Sequence, residues 1–293
     1  MIRKSIFAVA VAASALAVSA LAIAAARPPK PEPAPASPAA PTAADFRTPD
    51  PQNVMVIDTN KGRIIVEITP DVAPEHAERL RALTRQGFYD GKAFFRVIDG
   101  FMAQTGDPKN DGTGQSTLPD LAGAFTFRRG SEGPGVVIAD RAVNSVGFVG
   151  SLPFTSQSSM LMALTKDQKV NAWGLFCPGV LGMARGDDPN SANSQFFLMR
   201  DHYPALETRY TAFGRVVSGL PVVRSIKTGE PVAPPQDQMT TVRLLADMPA
   251  NDHPSVRVID PQGPWFKAQV ERRRQSDGDD FSPCDLQIPA EIK

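Results

Sequence analysis

Arg96 stands in a short run, FFRVIDGFMAQTGD at 94–107, that also holds Phe101, Met102 and Gln104. A guanidinium keeps its charge at every relevant pH and presents several N–H groups in a fixed fork, so it suits preorganised hydrogen-bond donation and not proton transfer. Beside it, an aromatic ring and a thioether offer apolar surface, and the Gln104 amide can both donate and accept. A second run, LGMARGDDPNSANSQFFLM at 181–199, contains an aromatic pair. Neighbouring side chains of a strand point to opposite faces, so Phe196 and Phe197 cannot both enter one side of a sheet. One of them must line a second apolar surface, either one covered by another element or one that receives a ligand. His76, His202, His253, Cys177 and Cys284 lie far apart, with none of the close spacings that build zinc or haem sites. No metal and no cofactor is assigned.

Both runs need strands to hold them. Val54 to Ile57 and Arg63 to Ile68 are apolar runs separated by Asn60, Lys61 and Gly62, the pattern of a hairpin. Pro74 opens a helical pattern with Ala77, Leu80 and Leu83 on one face and Gly87 near its end, which leaves His76 on the solvated side. Further strand-like segments fall at 93–98, 101–105, 179–184, 195–199, 210–217 and 239–245, with a second short helix at 220–227. Many strands with two covering helices predict a mainly β fold, a closed antiparallel barrel capped by those helices. Nothing repeats at a fixed period, which argues against a solenoid or propeller. Formal net charge is zero and no long basic face is visible, so neither nucleic acid nor an anionic membrane surface is implied as partner. Arg272, Arg273 and Arg274 read as a solvated run.

The order of residues in the first run, an aromatic pair and arginine, then glycine, Phe-Met, one residue, glutamine and Gly-Asp, resembles the cyclophilins, a family of peptidyl-prolyl cis-trans isomerases. The second run resembles another signature of that family, with Gly182, Met183 and Ala184 ahead of Gln195, Phe196 and Phe197, and YTAFGRV at 210–216 resembles a third. The resemblance implies an eight-stranded cyclophilin-like barrel and rotation of X-Pro bonds, with proline-containing segments of unfolded or exported proteins as partners. It also implies a site made by Arg96, Phe101, Gln104 and Phe197 as catalytic residues and by Met102, Ala184, Arg185, Gln195, Leu206 and Tyr210 as substrate-binding ones. Arg96 would donate to the prolyl nitrogen. Gln104 would either donate to the preceding carbonyl or hold Arg96 in place. The runner-up is a domain of the same shape that binds proline segments without turnover, or a holdase.

The chain departs from the animal members of that family at Ala205, where they carry tryptophan, at Tyr210, where they carry histidine, and at Arg185, where asparagine is usual. Loss of the indole at Ala205 implies that cyclosporin-type inhibition is weakened more than isomerisation. Length is the larger departure. The domain is expected over 53–247, with a long loop inserted at about 130–178 and a C-terminal extension over 248–293. Within the extension, Ser255 to Ile259 read as a strand and Trp265 to Arg274 as a helix that docks through Trp265 and Phe266. At the other end, Arg3 and Lys4 precede an alanine-rich apolar stretch that ends in small residues, so 1–26 read as a signal peptide or an uncleaved signal anchor. A proline- and alanine-rich tether follows over 27–52. This predicts a periplasmic or secreted monomer that touches the membrane only if the signal stays uncleaved. In an oxidising compartment Cys177 and Cys284 can join insertion to tail or remain thiols.

Overall fold

The computed structural model of the protein describes residues 40–293. The signal or anchor expected over 1–26, and the tether as far as residue 39, lie outside the described residues. The described part forms one compact unit of sixteen strands and three α-helices, numbered here in chain order.

Eight strands make the principal antiparallel sheet: β2 (Val54–Thr59), β3 (Gly62–Ile68), β4 (Arg96–Ile98), β5 (Met102–Thr105), β11 (Val180–Met183), β12 (Phe196–Met199), β13 (Ala212–Ser218) and β14 (Met239–Leu244). Their order is β14-β2-β3-β13-β11-β12-β5-β4. The closed barrel expected from the sequence is not formed; the sheet is an open half-barrel. Its end strands form no ladder with each other; the seam is spanned by isolated bridges, Ala93 with Gln238 and Val97 with Gly229, and by single backbone hydrogen bonds such as those of Met239 with Gly91 and Lys92. The chain leading into β14 carries Pro231, Pro234 and Pro235, which have no N–H to give, so a continuous ladder cannot form along that seam.

Helix α1 (Pro74–Arg85) begins at a proline, whose missing N–H costs nothing in a first turn. Ala77, Leu80 and Leu83 are all buried in the main core with Phe94, Phe196 and Phe213, and a buried leucine contributes about 1.5–3 kcal/mol. The buried arc is wider than that stripe. His76, expected in solvent, is 1% exposed, with its ring 5.9 Å from Phe213. Neither imidazole nitrogen has a hydrogen-bond partner, and burial lowers its pKa to about 4. Helix α2 (Leu220–Ser225) buries Val223 in the same core.

The stretch expected as a long loop is a second sheet. Strands β6 (Phe127–Arg129), β7 (Val136–Asp140), β8 (Asn144–Val149), β9 (Leu152–Gln157) and β10 (Val170–Gly174) pair antiparallel in the order β6-β10-β9-β8-β7. Phe127, Leu152, Phe154 and Ala172 from this sheet share a second core with Met102, Val180, Phe197 and Ala212 of the principal sheet. Backbone hydrogen bonds that a bare loop would leave to water are therefore made inside a ladder, and its apolar residues have something to cover.

A third core holds the C-terminal extension, where β15 (Val256–Ile259) and helix α3 (Pro264–Asp277) place Val258 and Phe266 against Val54, Ile65 and Phe148. Phe266 meets Phe148 edge to face at 5.4 Å. Two short strands flank β15, namely β1 (Phe46–Arg47) and β16 (Ala290–Ile292). Residues 40–52 thus belong to the fold and not to a tether. Buried Asp45 accepts a hydrogen bond from the Trp265 backbone N–H at 3.0 Å, capping α3 from a distant part of the chain where the helix's own N-cap, Gly263, has no side chain. Arg47 grips Glu67 of β3 at 2.6 and 2.8 Å. Cys177 and Cys284 are joined in a disulfide that ties the second sheet's exit to the tail. Among the described residues no helix is long and apolar enough to cross a membrane.

Candidate active site

Strand alternation sends Phe196 into the main core, edge to face with Tyr89, and Phe197 to the other side. There Phe197 is backed by the stacked ring of Phe176, 5.9 Å away, and meets Tyr210 edge to face at 6.1 Å. Gly182 lies directly opposite Phe197 in the β11–β12 ladder, and any Cβ there would strike the Phe197 ring. The small residue in Gly-Met-Ala is what lets the ring lie flat. Met102 pairs with Met199 across β5 and β12 and is fully buried beneath the same surface. Leu206 enters from a single 3-10 turn, Pro204–Leu206.

These residues surround a cavity of about 170 Å³. Nine of the ten residues expected at the site line it: Arg96, Phe101, Met102, Gln104, Ala184, Arg185, Phe197, Leu206 and Tyr210. Gln195 does not. It lines a neighbouring polar cavity and reaches the first through Gln104. Arg96 and Gln104 face each other across β4 and β5. Arg96 Nη1 donates to Gln104 Oε1 at 3.4 Å, Gln104 Nε2 donates to Gln195 Oε1 at 2.9 Å, and Gln195 Nε2 donates to the Gly114 carbonyl at 2.8 Å. Of the two roles open to Gln104, this chain of bonds favours holding Arg96, because its amide oxygen is already turned to the guanidinium.

Arg185 is committed locally. Its guanidinium sits 4.4 Å from the Tyr210 ring centre and donates to the carbonyls of Arg209 and Gly186. It thus acts as a wall for the cavity. Exposed Ala205 adds no bulk there. The sequence reading missed two participants. Phe176 supports Phe197 from just beyond the second sheet, and Glu230 accepts from Arg96 Nε at 2.6 Å, the same oxygen standing 2.5 Å from Nη2 as an ion pair. Neither lies in a motif; Glu230 is 134 residues from its partner.

The arrangement is a small pocket with Phe101, Met102, Phe197 and Leu206 on its apolar side and Arg96, Gln104 and Arg185 on its polar side. The cyclophilin-type peptidyl-prolyl cis-trans isomerase family matches residues 54–245. The chain belongs to that family. Similar members include the probable peptidyl-prolyl cis-trans isomerase of Brucella abortus (strain 2308), 37% identical over 191 residues that span 61% of this chain and 74% of the relative. The corresponding protein of Brucella suis biovar 1 (strain 1330) is 36% identical over 191 residues, with the same shares covered. Among solved structures, cyclophilin AquaCyp293 from Hirschia baltica superposes with a TM-score of 0.77 at 34% identity, covering 84% of this chain and 93% of that one. That share is larger than residues 54–245 alone can supply, so the likeness extends into segments outside the family match. As a cyclophilin, the protein is a peptidyl-prolyl cis-trans isomerase.

Proposed function

We propose that the protein accelerates rotation of X-Pro bonds in exported or unfolded chains, with Arg96 as the donor to the prolyl nitrogen and the Phe101–Met102–Phe197–Leu206 surface as the seat of the proline ring. Rotation costs roughly 18–20 kcal/mol because amide resonance is lost, and the uncatalysed event takes tens of seconds or more. No bond is made or broken, so the task is to bind the twisted amide better than either planar isomer. As resonance breaks, the prolyl nitrogen regains a lone pair and accepts a hydrogen bond that the planar amide cannot. Shortening tens of seconds to milliseconds is about 10⁴-fold, or roughly 5–6 kcal/mol. A fixed charged donor supplies about 3–4 kcal/mol of this, and a rigid pocket that lets only the carbonyl side swing supplies the remainder.

The observation that carries this reading is the hold on the guanidinium by Gln104 on one side and Glu230 on the other, at the cavity that Phe101, Met102, Phe197 and Leu206 also line. The export context rests on the charged, alanine-rich N-terminal sequence and is supported by the disulfide, since such bonds persist in oxidising compartments. A guanidinium donor predicts a coupled-assay rate that is flat from about pH 6 to 9, and an Arg96→Ala variant whose kcat/KM is lower by about 10²-fold or more. A folded Arg96→Ala protein with the wild-type rate would remove Arg96 from the mechanism.

A further inference from the structure

Arg96 has five N–H groups, and the lateral edge of its guanidinium is occupied. One carboxylate oxygen of Glu230 accepts from Nε and stands 2.5 Å from Nη2 as the other half of an ion pair. Gln104 Oε1 accepts a hydrogen bond from Nη1 at 3.4 Å. The N–H groups that remain are on the two distal nitrogens, Nη1 and Nη2.

Glu230 is brought there by the backbone. Val97 and Gly229 exchange both N–H···O bonds at 2.8 Å, and the Val232 N–H donates to Phe95 at 2.8 Å. The residues on either side of Arg96 are thus tied to residues around Glu230. Pro231 fixes φ immediately after it, and at Gly229 a Cβ would come within 2.7 Å of Val232, so the turn admits no side chain. The pair itself is open to water, the Arg96 side chain 35% and Glu230 55% exposed. An ion pair that exposed adds little to fold stability. A rigid turn that delivers a carboxylate to it is better explained by what it does to the arginine, a long side chain with much rotamer freedom to lose.

We propose that Glu230 is a positioning residue for Arg96: it clamps the lateral edge of the guanidinium so that its distal N–H groups stay aimed into the proline pocket. This rests on Arg96 being the donor. The clamp acts on orientation and not on substrate binding, so its loss falls on kcat.

The test uses the full chain and an Ala-Pro tetrapeptide, with Glu230→Ala, Glu230→Gln, Arg96→Ala and the double alanine variant. Glu230→Ala should lower kcat by about three- to tenfold, leave KM within about twofold and leave the melting temperature unchanged. Glu230→Gln, which keeps an acceptor oxygen in place, should recover part of the loss. In the Arg96→Ala background, removing Glu230 should change nothing further. If Arg96→Ala loses activity while Glu230→Ala keeps the wild-type kcat, the clamp is wrong and the donor survives. An equal loss from Glu230→Ala in both backgrounds also overturns the clamp, because the residue would then act other than through Arg96. If Arg96→Ala alone keeps full activity, the donor reading fails first and the clamp with it.

Discussion

One methyl group at Gly182 should disable the pocket while leaving the protein folded. A Cβ on Gly182 would lie 2.6 Å from Cε2 of Phe197, closer still to its Cζ, and 2.9 Å from Cε1 of Phe176. Carbon atoms pack at about 3.5–4.0 Å, so the Phe197 ring must move by about 1 Å. Phe176 and Tyr210 bracket the ring, which leaves the cavity as the direction of escape. Overpacking of this kind costs about 1–3 kcal/mol in stability, whereas a 1 Å misplacement of a positioning group costs up to about 10²-fold in rate. Gly182→Ala is therefore expected to lower kcat/KM in a protease-coupled isomerisation assay by about 10- to 100-fold, with a urea midpoint lowered but a cooperative transition retained. Adding Phe176→Leu, which opens space behind the ring, should return part of the activity. A cooperatively folded Gly182→Ala protein with kcat/KM within twofold of wild type would refute the claim that the Phe197 seat sets the pocket.

Three further outcomes follow from other parts of the molecule. Because burial lowers the His76 pKa from 6.5 to about 4, the unfolded chain binds the proton more tightly. Stability is full above pH 6.5 and falls by about 3 kcal/mol as pH drops toward 4; urea midpoints should show this fall, and His76→Leu should flatten it, with Glu207, whose pKa burial raises, acting weakly in the opposite sense. The disulfide closes a loop of 107 residues, so Cys284→Ser should cost up to about 4–5 kcal/mol on the chain-entropy account, read as earlier proteolysis of the C-terminal extension under native conditions. With exposed Ala205 in place of an indole, cyclosporin-type inhibitors should bind weakly, and a titration that shows tight binding would overturn that expectation.

Local pattern carried much of the fold. The Asn60–Gly62 turn between two apolar runs is the β2–β3 hairpin, Pro74 does start a helix, and the Phe196–Phe197 alternation correctly required two apolar surfaces. What local pattern could not show is pairing over distance. The insertion reads as loop because its glycines and serines dilute the alternation, yet Val146, Phe148 and Phe154 are buried once two sheets and the extension close on them. His76 was misplaced because a helical wheel assumes one covered side, whereas α1 buries Thr84 and Arg79 as well. Asp45 sits in proline-rich sequence that looks unable to fold, and its role as a remote helix cap has no local signature. Glu230 has no local signature either, since backbone bonds between distant segments, Val97 with Gly229 and Val232 with Phe95, bring it to Arg96.

On the proposed mechanism Arg96 lowers the barrier to rotation and does not merely help to hold peptide. Exchange NMR on an Ala-Pro peptide saturating the enzyme measures the on-enzyme cis-trans rate separately from affinity. Arg96→Ala is expected to slow that rate by about 10²-fold or more while the peptide still binds within a fewfold of wild type. An unchanged on-enzyme rate, with the loss appearing only as weaker binding, would contradict it.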